Sequence, residues 1–272
     1  MSVGALERAL LREFPAEDAE AWDRTGLTVG DPAQTVTKVA VALDPTVAAV
    51  REAASRGANV LVTHHPAFLA APDAFRPAPS AAACSGAVVW EAASRGIALM
   101  SFHTALDVSP RAADVLPGLL SLDYRGQAMV PRAGSRRKGY GQLCAVRAAD
   151  APLTLEKLAA RCTSVFARVP RVWGDFDREL ASVVTATGSA GEVVDACVAA
   201  RVDCLVCGEV KYHAALDAVE AGLAIIDLGH DTSELPLAAV LAQAVERAGV
   251  PSSRIEAIDQ GANWSHPEST RL

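Results

Sequence analysis

A chain of 272 residues allows one large α/β domain or two modest lobes, because single hydrophobic cores seldom grow beyond roughly 250–300 residues. With 51% hydrophobic against 21% charged residues, disorder is excluded as the dominant state, and no apolar run reaches the ~18 positions that a bilayer span needs, so no membrane partner is expected. A formal net charge of −7 argues against nucleic acid as the main partner, and the charged, amphipathic start MSVGALERALLREFP differs from a secretory leader, so a cytoplasmic location is expected.

Short β-branched or apolar runs alternate with Ala-rich helical windows along the chain, the signature of βα units in a parallel or mixed sheet. Residues 37–43 predict a strand, 47–56 a helix closed by Gly57, and 59–63 a second strand. A Pro- and Ala-rich loop, 67–80, follows and reads equally as a lid or as surface padding. Residues 81–95 predict a helix closed by Gly96, and 97–101 a third strand; Ser109-Pro110 then reads as the N-cap and first position of another helix.

The stretch PRAGSRRKGYG, 131–141, reads as an irregular loop and holds the only basic cluster; Arg136, Arg137 and Lys138 are either solvated or placed to hold a phosphate. After a helix at 155–166 the pattern restarts with a strand at 181–185, a helix at 192–201, a strand at 203–207, a helix at 213–221 closed by Gly222, and a strand at 223–227. Asp231-Thr-Ser-Glu234 fits a capping box ahead of a helix at 235–248. The tail Asn263-Trp-Ser-His-Pro-Glu268 begins like a streptavidin-binding tag without continuing as one, and no role is assigned to it. The six cysteines are too few for a disulfide scaffold at this length, and Cys204-Leu-Val-Cys207, despite its zinc-like spacing, reads as a buried strand.

The two halves match element for element. Gly96-Ile-Ala-Leu-Met-Ser-Phe-His103-Thr-Ala-Leu-Asp107 lies beside Gly222-Leu-Ala-Ile-Ile-Asp-Leu-Gly-His230-Asp-Thr-Ser-Glu234, each ending a strand with His followed four residues later by a carboxylate. The expected fold class is α/β: two similar βα-repeat halves, 1–125 and 126–272, with mixed or parallel sheets, related by an internal pseudo-twofold with a metal site between them.

His64, His65, His103 and His230 all fall where predicted strands end, the positions at which open α/β sheets bind ligands. Imidazoles joined by the carboxylates of Asp107 and Glu234 suit zinc, iron, manganese or nickel better than calcium or magnesium. His64 and His65 are adjacent, so on an extended chain they diverge, which favours two divalent ions, with Asp107 or Glu234 as the bridge.

Five segments, Trp22-Asp-Arg-Thr-Gly-Leu-Thr-Val-Gly30, Thr63-His-His-Pro66, His103-Thr-Ala-Leu-Asp107, Gly208-Glu-Val-Lys-Tyr-His213 and Gly229-His-Asp-Thr-Ser-Glu234, occur in the order found in the Nif-three-like dinuclear metal-centre proteins, the GTP cyclohydrolase I type 2 homologues, which this chain resembles over nearly its whole length. The resemblance implies the metal ligands His64, His65, Asp107, His230 and Glu234, with Glu234 bridging, and a ring-shaped homo-hexamer. It also implies a proton-transfer role for His103, whereas the internal repeat would make His103 a ligand mirroring His230. Ala105 and Asp231 depart from the family pattern, where Asn and an aromatic residue are common.

Such a centre points to a dinuclear-metal-dependent hydrolase working through a metal-bound hydroxide on a small anionic molecule, by resemblance a nucleotide such as GTP, by ring opening or phosphoester hydrolysis. His103 is the general acid/base candidate, with Lys211 and His213 as alternatives or substrate contacts. The competing expectation is a non-catalytic metal-binding, metal-delivery or interaction protein.

Overall fold

The computed structural model describes residues 1–77, 84–132, 134–261 and 264; the end of the 67–80 loop, the start of the 81–95 helix and most of the C-terminal tail lie outside the described residues. The chain divides into two compact units. The first comprises Met1–Glu13, Ala21–His103 and the segment from Leu241 onward, and the second Phe14–Glu20 and Thr104–Val240. The division thus falls near residue 103 and not between 125 and 126, and the C-terminal segment returns to the first unit, where the strand Ile255–Ala257 pairs with β2 (Val39–Ala42). No helix among the described residues is long and apolar enough to cross a membrane.

In the first unit, helix α1 (Val3–Glu13) precedes β1 (Gly26–Val29), and β2, helix α2 (Val47–Ser55), β3 (Val60–Thr63), helix α3 (Cys84–Ser94) and β4 (Ala98–Ser101) follow. The sheet runs β1-β4-β3-β2 and ends on Ile255–Ala257; β2, β3 and β4 are parallel and β1 lies antiparallel on β4. The central strands VAVA, VLVT and ALMS are buried at every position, as in parallel sheets covered on both faces. Thr46 caps α2 by accepting from the Ala49 amide at 3.0 Å, and buried Glu91 on α3 accepts from Arg51 of α2 at 2.9 Å and from Arg95 at 2.6 Å.

The second unit opens with three short helices, α4 (Thr104–Asp107), α5 (Pro110–Ala113) and α6 (Val115–Leu119). Ser109 caps α5 through the Ala112 amide at 3.2 Å, with Pro110 at its first turn, as the sequence predicts. A hairpin follows, β5 (Asp123–Arg132) and β6 (Ser135–Ala145), then β7 (Leu153–Thr154), α7 (Leu155–Phe166), β8 (Arg171–Trp173), β9 (Glu179–Leu180), β10 (Ser182–Ser189), α8 (Val193–Ala200), β11 (Cys204–Glu209), α9 (Tyr212–Glu220), β12 (Ala224–Asp227) and α10 (His230–Arg247). The main sheet has the order β5-β6-β10-β11-β12-β8, with β10, β11 and β12 parallel, and β7 pairs with β9 alone.

Each unit therefore contains three parallel strands linked by two helices and flanked by an antiparallel strand, β1 in one and β8 in the other. The irregular loop expected at 131–141 is instead the turn and flanking strands of the β5–β6 hairpin. Gly134, Gly139 and Gly141, all at positive φ, break the apolar alternation by which a strand is recognised.

Candidate metal centre

In the first unit, polar groups collect at the carboxyl edge of the parallel strands. Asp44 follows β2, His64 and His65 follow β3, and His103 follows β4. Because β1 runs antiparallel to β4, with Gly26 opposite Ser101, Asp23 enters β1 at this same edge. The chain bends at His64 and His65, so the alternation of an extended strand ends before them, and the expected divergence of the two rings does not occur. Their ring centroids lie 4.8 Å apart, and those of His64 and His65 lie 5.1 and 5.3 Å from that of His103. One nitrogen from each of the three comes within 4.8 Å of the others, with His64 buried.

Each ring is held through Nδ1. His64 Nδ1 lies 3.2 Å from the Phe102 carbonyl oxygen, His65 Nδ1 2.7 Å from Asp44 Oδ1, and His103 Nδ1 3.1 Å from Asp23 Oδ1. With Nδ1 donating, the lone pair of each neutral imidazole resides on Nε2, the arrangement proteins use to orient metal-binding histidine.

In the second unit, Asp107, His230 and Glu234 gather around the end of β10. Thr187 Oγ1 lies 3.5 Å from Asp107 Oδ1, and the next residue, Gly188, abuts Glu234 and His230. A Cβ on Gly188 would lie 2.3 Å from Glu234 Oε1 and 3.4 Å from His230 Nε2, and its φ of +60° is one that side-chain-bearing residues rarely adopt. The Ser233 hydroxyl accepts from the Gly188 amide at 2.9 Å and donates to the His230 carbonyl at 2.8 Å, which fixes the first turn of α10 against this strand end.

Helix α10 begins at His230, five residues before the expected start at 235, and no capping box forms. Buried Asp227 accepts from the Gly229 amide at 3.1 Å and Gly229, at φ +93°, turns the chain directly into the helix. Asp231 lies in the first helical turn, where its carboxylate accepts from Arg168 at 2.9 Å. Glu234, freed from capping, presents Oε2 3.1 Å from His230 Nε2, while Glu209 Oε1 lies 3.1 Å from His230 Nδ1. The hydrogen bond to Glu234, joined by the charge of Glu209, raises the His230 pKa to about 9 against the opposing effect of burial. A divalent cation satisfies the same facing pair of lone pairs as that proton, so the residues present fit a metal.

Among the expected substrate contacts, Arg136 and Arg137 are exposed on β6, whereas Lys138 is ion-paired with Asp18. Lys211 and His213 are exposed at the start of α9, and the His213 ring lies 5.3 Å from that of Tyr212. Cys204 and Cys207 share no site: Cys204 packs with Val206 and Ile226, and Cys207 with Leu205 and Ile225 on the other face of the sheet. The residues that sequence reasoning missed are Asp23, Asp44, Glu209 and Gly188. The available signal was a carboxylate or glycine at a strand end, which is weak without its partner in view.

A family model described as Duf34/NIF3 (NGG1p interacting factor 3) matches residues 1–260. A protein of Streptomyces coelicolor named GTP cyclohydrolase 1 type 2 homolog is 34% identical over 232 residues, 82% of this chain and 78% of the relative. A protein of the same name from Clostridium acetobutylicum is 28% identical over 242 residues, 88% of each. Among solved structures, a Staphylococcus aureus hypothetical protein matches with a TM-score of 0.84 at 24% identity, covering 98% of this chain and 99% of that one. A Bacillus cereus protein related to NIF3 matches with a TM-score of 0.83 at 18% identity, covering 97% and 98%. At these identities the structural likeness establishes the fold.

Proposed function

The chain belongs to the Duf34/NIF3 (NGG1p interacting factor 3) family, and from that premise we propose that it is a hydrolase that uses two divalent ions and acts on a nucleotide. The observation that carries this reading is the shared orientation of the histidines, each with Nδ1 against a carbonyl or carboxylate oxygen. We assign His64, His65, Asp107, His230 and Glu234 as the residues that would hold the two ions, and Glu234 as the one that both would share. The chemistry of the donors supports the assignment: imidazoles together with two carboxylates make a mixed set that suits zinc, iron, manganese or nickel.

When bound, the ions supply Lewis acidity and lower the pKa of water toward ~7. His103 moves the proton. Arg136 and Arg137 receive the phosphate of the substrate, with Lys211 and His213 as further contacts; Lys138, engaged by Asp18, contributes through the shape of the hairpin. The relatives' name, GTP cyclohydrolase 1 type 2 homolog, favours a purine nucleotide, opened at the ring or cut at a phosphoester. The working form is a cytoplasmic homo-hexamer, which sedimentation velocity tests.

Turnover of GTP, other nucleoside triphosphates and simple phosphoesters, measured on metal-stripped and reloaded protein, decides between enzyme and carrier. Activity that vanishes on chelation and returns with one of the four metals is expected. Metal retained with no turnover of any of these substrates would make the chain a metal-binding or metal-delivery protein.

A further inference from the structure

The three clustered histidines of the first unit, His64, His65 and His103, are held in three different ways. His64 meets a main-chain carbonyl, and His65 meets Asp44, whose side chain is 28% exposed. His103 meets Asp23, whose side chain is fully buried while His103 itself keeps 15% of its side-chain surface. Asp23 Oδ1 accepts from the Arg24 amide at 2.7 Å as well as facing His103 Nδ1 at 3.1 Å, so its orientation is set by its own backbone and not by the histidine alone. The neighbouring Trp22 ring, 54% exposed, stands edge-on to His103 with centroids 5.7 Å apart, and limits how far the imidazole can turn. The segment entering β1 therefore fixes both the tautomer and the plane of one ring.

We infer that Asp23 is the positioning residue of an Asp23–His103 pair that handles the proton of the reaction, an inference that rests on the role given to His103 above. A buried carboxylate beside Nδ1 keeps the proton there and leaves Nε2 as the basic atom. During turnover Nε2 takes a proton from the nucleophile and returns it to the leaving atom, while Nδ1–H stays with Asp23 throughout. Asp23 neither loses nor gains a proton. Its negative charge, held at Nδ1 on the opposite side of the ring from the reacting nitrogen, stabilises the imidazolium formed between the two transfers.

The test is Asp23→Asn, read in three ways on the full chain: the nitrogen-15 shifts of His103 in the metal-free and zinc-loaded protein, the metal content, and kcat and KM. The wild-type His103 is expected as the Nδ1–H tautomer both before and after zinc loading, and Asp23→Asn, whose amide can donate to Nδ1, is expected to move the proton to Nε2. Metal content and KM should stay within about twofold while kcat falls by roughly 10²–10⁴-fold. Asp44→Asn, which alters the partner of His65, should instead lower metal affinity. An Nε2–H tautomer in the wild type overturns the inference even if the variant fails to fold. So does loss of metal from Asp23→Asn, or a one-bond coupling between His103 Nε2 and cadmium-113 in cadmium-loaded protein, since either makes His103 a ligand. A wild-type protein without turnover would sink the proposed hydrolase, yet the tautomer measurements would still decide whether Asp23 positions His103.

Discussion

Gly188 shows how closely the second unit is built around Glu234. Alanine at this position would place a methyl 2.3 Å from Glu234 Oε1 at a φ of +60°. The left-handed backbone alone costs about 1–2 kcal/mol, and the clash must push the carboxylate out of its place beside His230. Gly188→Ala is therefore predicted to fold with a modestly lowered Tm and to lose metal affinity by roughly 10–100-fold, the usual effect of disturbing a ligand's support; isothermal titration with zinc or manganese measures it. Unchanged affinity would remove Glu234 from the ligand set. The donors themselves were legible in the sequence, because His64, His65, His103 and His230 all close apolar strands. Their supports were not: His65 and Asp44 are separated by 21 residues and His103 and Asp23 by 80, and only folding brings them within hydrogen-bonding distance.

Periodicity places α7 at the bounds found, Leu155–Phe166, and β3 within one residue of them, at Val60–Thr63. Two elements departed from expectation for local reasons. The β5–β6 hairpin hid behind its glycines, and α10 starts early because Asp227 and Gly229 turn the chain where a capping box had been expected to do so. On α2 and α3, Glu91 is held at a pKa of about 2, chiefly by its hydrogen bonds to Arg51 and Arg95. A glutamate in the unfolded chain titrates near ~4.3, so the folded state binds this proton less readily. The stabilisation is present above that pH and is lost as the pH falls toward about 2. Thermal melts should show Glu91→Gln below the wild type at pH 7, with the gap closing between pH ~4 and ~2; a constant gap would show that the ion pairs do not contribute. On β11, Cys204 and Cys207 are buried on opposite faces, and burial pushes both thiols well above the usual range. Replacing both with Ala should lower Tm and leave metal content unchanged, whereas loss of an ion would assign them to the metal site.

At the scale of the molecule, the repeated three-strand arrangement was visible in the sequence, while the return of the C-terminal segment to the first unit was not. The strand Ile255–Ala257 has three residues, too few for a period to show. Among the described residues, three imidazoles gather at the strand ends of one unit, and Asp107, His230 and Glu234 gather in the other. The proposed binding of two ions by His64, His65, Asp107, His230 and Glu234 is the central claim. Elemental analysis of the full chain, after stripping and reconstitution with excess zinc or manganese, tests it most directly when paired with Glu234→Gln. Two ions per chain in the wild type, falling to one or fewer in the variant with the fold retained by circular dichroism, is the predicted result; one ion or fewer in the wild type, or two ions undisturbed in Glu234→Gln, would contradict it.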